Sequence, residues 1–394
     1  MAERLHLSWD PALTAYDFGP GHPLAPVRLR LTVALLEALG LLDPTLVDVV
    51  APEVADDATI ALVHDRDYIQ AVRAADAGRD PPNGPRHGLD TPDNPVVPGM
   101  HEAAARVVGA TVSAARAVWS APGRRGVSLA GGLHHAMADH ASGFCVYNDV
   151  AVAIRWLLEA GARRVAYVDV DAHHGDGVER AFWDEPRVLT ISIHQSGVTL
   201  FPGTGFASDV GGPGALGSAA NVALPPGTGD AGWLRALDAV AVPLVGEFAP
   251  DVLVSQHGCD SHWLDPLTDL AVSVDGMRAA ALVIEDLALR HAGGRWLATG
   301  GGGYAVADVV PRAWAHLVGI AAAHPVPPET LVPASWRRSV AAEGLVAPET
   351  MTDDMSADFA PWSAGHNPHD AVDRAIMAAR SATFPWHGLD PYSS

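Results

Sequence analysis

The chain has 394 residues, 48% hydrophobic and 18% charged, a composition that suits one large α/β domain or two modest ones. Its formal charge of −21 argues against duplex nucleic acid, whose phosphates select clustered basic side chains. No stretch approaches the roughly 18 consecutive apolar residues of a membrane span, and all 25 basic residues are arginine, which excludes Schiff-base and P-loop lysine chemistry.

The opening Met1-Ala2-Glu3-Arg4 leads into a mixed stretch without a secretory apolar region, so a cytoplasmic protein is expected. Residues 26–40 read as a helix, with Pro26 in the first turn, Leu29, Val33 and Leu36 on one face and Gly40 at the end. A proline- and glycine-rich stretch at 77–100 is too long for an ordinary connection and suits a functional rim or lid. From residue 101 the pattern alternates. His101–Trp119 is helical, Gly126–Ala130 a strand, Asp149–Ala160 helical and Val165–Val170 a strand. Further strands are expected at Val188–Ile193, Val252–Ser255 and Trp296–Thr299, with helices near 230–247, 275–291 and 305–322. Such alternation implies an open, mainly parallel β-sheet with helices on both faces, and a site at the carboxyl ends of its strands. Beyond about 325 the chain turns irregular and proline-rich, apart from a short helix around Ala371–Arg380. Trp336, Trp362, Phe384 and Trp386 would be costly to leave in water. The division is therefore a domain over 1–324 and an extension over 325–394 packed on it or on another subunit.

The most informative segment is Asp169-Val170-Asp171-Ala172-His173-His174-Gly175-Asp176. It follows a buried apolar strand that Gly175 and Gly177 break, and alternate residues of a strand share a face, so Asp169, Asp171 and His173 point the same way. A carboxylate and an imidazole so placed suit a divalent ion at about 2.0–2.2 Å. Three further strand ends carry chemistry: Gly131-Gly132-Leu133-His134-His135, Gln256-His257-Gly258-Cys259-Asp260, and Gly300 through Gly303 followed by Tyr304. The only two cysteines, Cys145 and Cys259, are too few for a disulfide framework and are read as reduced.

Together the strings GGLHHA, ASGFC, DVDAHHGDGVERAF, FPGTG, QHGCDSHWLDPL and GGGGY resemble the histone deacetylase family, in particular its bacterial acetoin-utilisation branch close to class I. The resemblance runs from about Gly21 to Trp314 and implies the fold shared by arginases and deacetylases. It implies Asp171, His173 and Asp260 as ligands of one catalytic zinc, for which ferrous iron is an alternative. His134 and His135 become a tandem acid/base pair, oriented by Asp169 and Asp176 respectively, and Tyr304 becomes the oxyanion donor. Phe144 and Phe201 match the aromatic walls of a substrate tunnel, with Gly143 and Leu267 as further lining. Asp93 matches a rim aspartate and Arg28 an arginine below the metal. A potassium ion is implied at the side chains of Asp169 and Ser192 and the carbonyls of Asp171, His173 and Ile193. Three positions depart from the family's usual pattern: Leu200 before Phe201, Ala305 after Tyr304, and the order within GFCVYND.

The resemblance thus implies a zinc-dependent deacetylase that hydrolyses Nε-acetyl-lysine in a protein or peptide, such as acetylated acetyl-CoA synthetase, without an acyl-enzyme. It implies neither nucleic acid nor membrane as partner and leaves the oligomeric state open. Three rivals exist: an acetylpolyamine amidohydrolase, a two-metal ureohydrolase and a non-catalytic acyl-lysine binder. The ureohydrolase needs a second Asp-x-Asp pair, where this chain has Gly258 two residues before Asp260.

Overall fold

Eight short strands, seen in a computed structural model that describes residues 4–79 and 87–393, build one open sheet. They are β1 (Leu5–Ser8), β2 (Val47–Val50), β3 (Arg125–Ser128), β4 (Val165–Asp169), β5 (Val188–Gln195), β6 (Ala219–Leu224), β7 (Val252–Gln256) and β8 (Trp296–Thr299). Their order is β2-β1-β3-β8-β7-β4-β5-β6, and every pairing is parallel. Strands β4, β5, β7 and β8 are buried along their whole length, which is why β4, β7 and β8 open on continuous apolar runs; β5 alternates, with Thr190, Ser192 and His194 on one face.

This order decides where the chemistry gathers. The four strands that precede the sequence motifs, β3, β8, β7 and β4, are neighbours in the middle of the sheet. Register aligns them further: Ser128 pairs with Thr299, Thr299 with Gln256, Gln256 with Asp169, and Asp169 with Ser192. One row of residues therefore crosses the sheet at its carboxyl edge, and four loops leave it at one level, the usual ligand-binding place of an open α/β sheet.

The flanking helices match the expected ones with shifts at their ends. The helix expected over 26–40 is Val27–Ala38, the second runs Met100–Ser120 and the third Asp149–Glu159. The helix expected near 230–247 contains a π-helical stretch, Leu237–Ala241, ahead of Pro243; a widened turn accommodates a residue that has no N–H to donate. The helix expected from 305 begins only at Val310, with Pro311 in its first turn. Sequence reading passed over β1, β2 and β6 and the helices Asp57–Ile60, Arg66–Asp76 and Asp176–Ala181. Most of these are only four to six residues long, too short for a periodic signal. Within the 77–100 stretch, residues 80–86 lie outside the described set.

The segment after residue 325 corrects one expectation. Ala334–Ala342 is helical, with Trp336 and Val340 buried one turn apart, a pair that the prolines around it conceal in the sequence. Trp336 donates its indole N–H to Leu31 O at 2.7 Å, and the helix Ala371–Thr383 lies beside β6, with Thr383 Oγ1 donating to Ala219 O at 3.4 Å. Arg235 forms a buried ion pair with Asp373 at 2.7 Å. Trp362 and Phe384 are buried as expected, but Trp386 is 55% exposed, because it sits on the short turn after the last helix with Gly217 against one side. Among the described residues no helix is long and apolar enough to cross a membrane.

Candidate active site

Strand β4 ends at Asp169, so Asp171 and His173 do not share a strand face with it, as the alternation had suggested. They lie in the turn beyond, which Asp169 Oδ1 organises by accepting the Asp171 N–H at 3.1 Å. The outcome is a closer gathering than a strand would give. Asp171, His173 and Asp260 are buried and present ligand atoms within 4.8 Å of one another. His173 Nδ1 lies 3.2 Å from Asp171 Oδ1 and 2.9 Å from Asp260 Oδ2. The remaining carboxylate oxygens are tied down: Asp171 Oδ2 accepts from Gln256 Nε2 at 2.7 Å and Gly302 N at 2.9 Å, and Asp260 Oδ1 from Ala172 N at 2.8 Å. A Cβ on Gly302 would collide with both carboxylates, so the β8 loop must be bare there.

This donor set fits a single divalent cation. Burial and the charge of Asp171 push the Asp260 carboxyl up to about 7. The two carboxylates overcome burial and raise His173 to about 10. The protonated His173 ring that results stands where a cation would otherwise sit, 3.2 Å from one carboxylate and 2.9 Å from the other, and a cation at the three converging atoms would take over that role as the ring gives up its proton. Two oxygens and one nitrogen also leave coordination positions open, the pattern of a catalytic rather than a structural zinc site.

Beside this cluster stand His134 and His135. Their Nε2 atoms are 3.1 Å apart, and His134 Nε2 is 4.0 Å from Asp171 Oδ1. Each ring is backed by its own carboxylate, His134 Nδ1 by Asp169 Oδ2 and His135 Nδ1 by Asp176 Oδ1, both at 2.7 Å. The two rings differ in basicity. Asp169 and Asp171 outweigh burial and raise His134 to about 9, while burial and the charge of His134 hold His135 down to about 4. One proton shared between facing nitrogens is what this geometry stabilises, and a pair so split is able to take up and release a proton.

Tyr304 follows the glycine run after β8. Burial, then the charges of Asp260 and Asp171, keep its phenol well above the usual range, so it remains a donor at neutral pH. Its ring meets Phe144 edge-on at 5.8 Å. Gly143 and Phe144 both have positive φ, 51° and 68°, between the paired residues Ser142 and Cys145. That is a two-residue type I′ turn. A left-handed phenylalanine is strained, and Tyr16 holds it there, donating its hydroxyl to Phe144 O at 2.7 Å and accepting from Val146 N at 3.0 Å.

One cavity is lined by His134, His135, Gly143, Phe144, Asp171, His173 and Tyr304. The remaining predicted substrate and potassium residues do not line it. Phe201 packs edge-on to His135 at 5.0 Å and is 43% exposed. Leu267 is also partly exposed and donates its N–H to Asp265 Oδ1 at 3.0 Å. Asp93 is exposed, its carbonyl 3.2 Å from His22 Nε2. Arg28 is buried against Trp314 and donates to the carbonyls of Gly301 and Gly303 at 2.7 and 3.3 Å. Ser192 pairs with Asp169 across β4 and β5, and its hydroxyl lies 2.8 Å from His194 Nδ1; Ile193 is buried beside it.

Several organising residues escaped the sequence reading. Asp149 accepts the N–H groups of Gly132 and Leu133 at 3.0 and 2.8 Å, and Asn148 donates to the carbonyls of His134 and Ala136, both at 3.1 Å. Tyr167 donates to Asp169 Oδ2 at 2.7 Å, and Asp265 Oδ2 accepts the Tyr304 N–H at 2.8 Å. Gln256 and Asp149 stand inside strings already singled out, yet their partners are remote in sequence, so no spacing points to them.

Comparisons with known proteins agree with this geometry. The model of the histone deacetylase domain matches residues 22–321. The acetoin utilization protein AcuC of Bacillus subtilis is 42% identical over 335 residues, covering 84% of this chain and 86% of that protein. AcuC of Staphylococcus xylosus is 38% identical over 325 residues, with 82% and 84% covered. The crystal structure of a histone deacetylase homologue from Aquifex aeolicus superposes with a TM-score of 0.83 at 27% identity, covering 96% of this chain and all of that one. A homologue complexed with SAHA gives 0.81 at 28%, with 95% and 99% covered. The chain, with its open parallel sheet and motif-bearing strand ends, thus belongs to the histone deacetylase family of hydrolases, beside the AcuC proteins.

Proposed function

We propose that this protein hydrolyses the acetyl amide of Nε-acetyl-lysine in proteins, releasing acetate and lysine. The observation that carries this reading is the carboxylate-backed imidazole pair abutting a buried Asp-His-Asp cluster, with a phenol donor on the same cavity wall. Asp171, His173 and Asp260 would hold zinc, or ferrous iron, which suits the same donors. Such an ion supplies Lewis acidity, polarising an acyl carbonyl and making water more acidic.

The chain's own residues do the rest. The His134/His135 pair accepts a proton from the attacking water and returns it to the leaving nitrogen. The water oxygen bonds to the acyl carbon as the C–N bond breaks, so no acyl-enzyme forms. Asp169 and Asp176 fix the ring tautomers. Tyr304 donates its hydroxyl to the acyl oxygen as negative charge grows there. Gly143, Phe144, Phe201 and Leu267 flank the aliphatic stem, Asp93 meets the substrate backbone at the rim, and Arg28 sits below near the acetate. A potassium ion at Asp169, Asp171, His173, Ser192 and Ile193 would be structural. In this reading residues 1–324 form the hydrolase domain and 325–394 an extension packed on it. Its setting is the cytoplasm, and its substrate is a metabolic enzyme such as acetyl-CoA synthetase.

Acetyl-lysine and acetylputrescine share the four-carbon stem that Phe144 would flank and differ only at the rim, where Asp93 would meet a peptide backbone in one and a free amine would stand in the other. One assay separates them. Acetyl-lysine peptides should be turned over faster than acetylputrescine, and chelation should abolish both rates. A clear preference for the polyamine would replace the protein-deacetylase reading.

A further inference from the structure

The loop from Ser261 to Ser273 carries more of the site than Asp260 at its head. Asp265, in its middle, accepts the backbone N–H of Tyr304 at 2.8 Å and that of Leu267 at 3.0 Å. The loop is held at one point by an unusual anchor. His262 is fully buried, and its Nδ1 accepts the Leu264 N–H at 3.1 Å. The proton must then sit on Nε2, which donates to Asp353 Oδ2 at 3.0 Å. Asp265 N in turn donates to His262 O at 2.9 Å.

Asp353 belongs to the C-terminal extension, 91 residues from its partner. It joins three elements at once. Its Oδ2 also accepts the Val274 N–H at 2.8 Å, in the first turn of the helix Val274–His291. Its Oδ1 accepts from Arg312 Nη2 at 2.8 Å, on the helix that follows the Tyr304 turn. The hydrogen bond from His262 and the charge of Arg312 outweigh burial and hold its carboxyl down to about 2, so it is ionised at every working pH. Beside it the extension is held by backbone bonds, Asp353 N donating to Asp275 Oδ2 at 2.8 Å and Arg312 Nη1 to Thr352 O at 3.0 Å; two more distant anchors, Trp336 on Leu31 and Arg235 on Asp373, lie on different elements.

We propose that Asp353 is a positioning residue of the active site: through His262 and Asp265 it fixes the Tyr304 backbone, so that the C-terminal extension sets where the phenol points. This rests on the reading of Tyr304 as the donor to the acyl oxygen. Small displacements of a catalytic group, caused from outside the site, cost up to about a hundredfold in rate.

The test is Asp353→Ala in the full-length, metal-loaded protein, with His262→Phe, which keeps a ring of similar size but has no Nε2–H to donate, breaking the same link from the loop side. Each should lower kcat on an acetyl-lysine peptide about ten- to a hundredfold, with KM changed less than about threefold, and the double variant should be no worse than either single. In a Tyr304→Phe background Asp353→Ala should cost nothing further, because the group it positions is gone. Amide hydrogen exchange should quicken at Leu267 and Tyr304 but not in the helix Ala371–Thr383. That arm needs no turnover, so a wild-type protein inactive on acetyl-lysine would refute the function and leave the anchor testable. A folded Asp353→Ala protein with kcat within about twofold of wild type would overturn the proposal. So would an equal loss in the Tyr304→Phe background, or unfolding of both variants, which would make the cluster a plain stabilising contact.

Discussion

Two buried histidine–carboxylate clusters stand near the carboxyl edge of the sheet, and they are opposites. At His173 two carboxylates face one imidazole, and burial with their mutual repulsion lifts Asp260 to about 7. At His262 a single carboxylate meets an imidazole, an arginine and a backbone N–H, and Asp353 falls to about 2. The first cluster has more negative charge than its protein donors can balance; the second is complete. That difference separates a place built for a cation from a place built to hold two segments together.

Removing a ligand tests the first cluster most severely. Asp260→Ala should leave the fold intact, since the sheet does not depend on it, yet abolish metal retention and reduce turnover to background. Elemental analysis and a peptide deacetylation assay read both effects, and retained metal would break the contrast. Tyr304→Phe should come next, keeping fold and metal while losing ~2.7–4 kcal/mol of transition-state stabilisation, the range for one oxyanion donor. The loss should appear mainly in kcat, and a fall of less than about threefold would show that the phenol is a packing residue.

Smaller effects belong to the periphery. Asp93→Ala removes one exposed acceptor at the rim and should raise KM for peptides about two- to tenfold, the worth of one such hydrogen bond, ~0.5–1.5 kcal/mol, with kcat unchanged. Asp353→Asn sharpens the second cluster by pH. A carboxyl lowered from its ordinary 3.8 to about 2 in the folded protein adds stability that is full above pH 3.8 and is lost as pH falls through about 2. The urea midpoints of wild type and variant should therefore differ at pH 6 and converge in acid. A gap that persists there would mean that the charge is not what holds the loop.

The sequence announced the first cluster far better than the second, for a physical reason. Asp171, His173, His134, His135, Asp260 and Tyr304 all stand within a few residues of a strand end, and parallel strands in register bring strand ends together. The alternation of short strands and amphipathic helices made that sheet legible. Its outer strands β1 and β2, four residues each and partly polar, were not. Nor was Asp353, which lies in a proline-rich stretch with no period and acts only through a fold that returns the chain to its own active site. Gln256 and Asp149 fall between the two cases. They sit inside motifs, but their work, orienting Asp171 and the Gly132–Leu133 turn, depends on partners that only the folded chain supplies.

In the proposed function one cation held by Asp171, His173 and Asp260 makes this chain a deacetylase. Titrating the chelated protein with zinc while following acetyl-lysine peptide hydrolysis tests it most directly. Activity should rise linearly and break at one equivalent per chain, with no rise in Asp260→Ala. A break at two equivalents, or hydrolysis indifferent to added metal, would contradict the account.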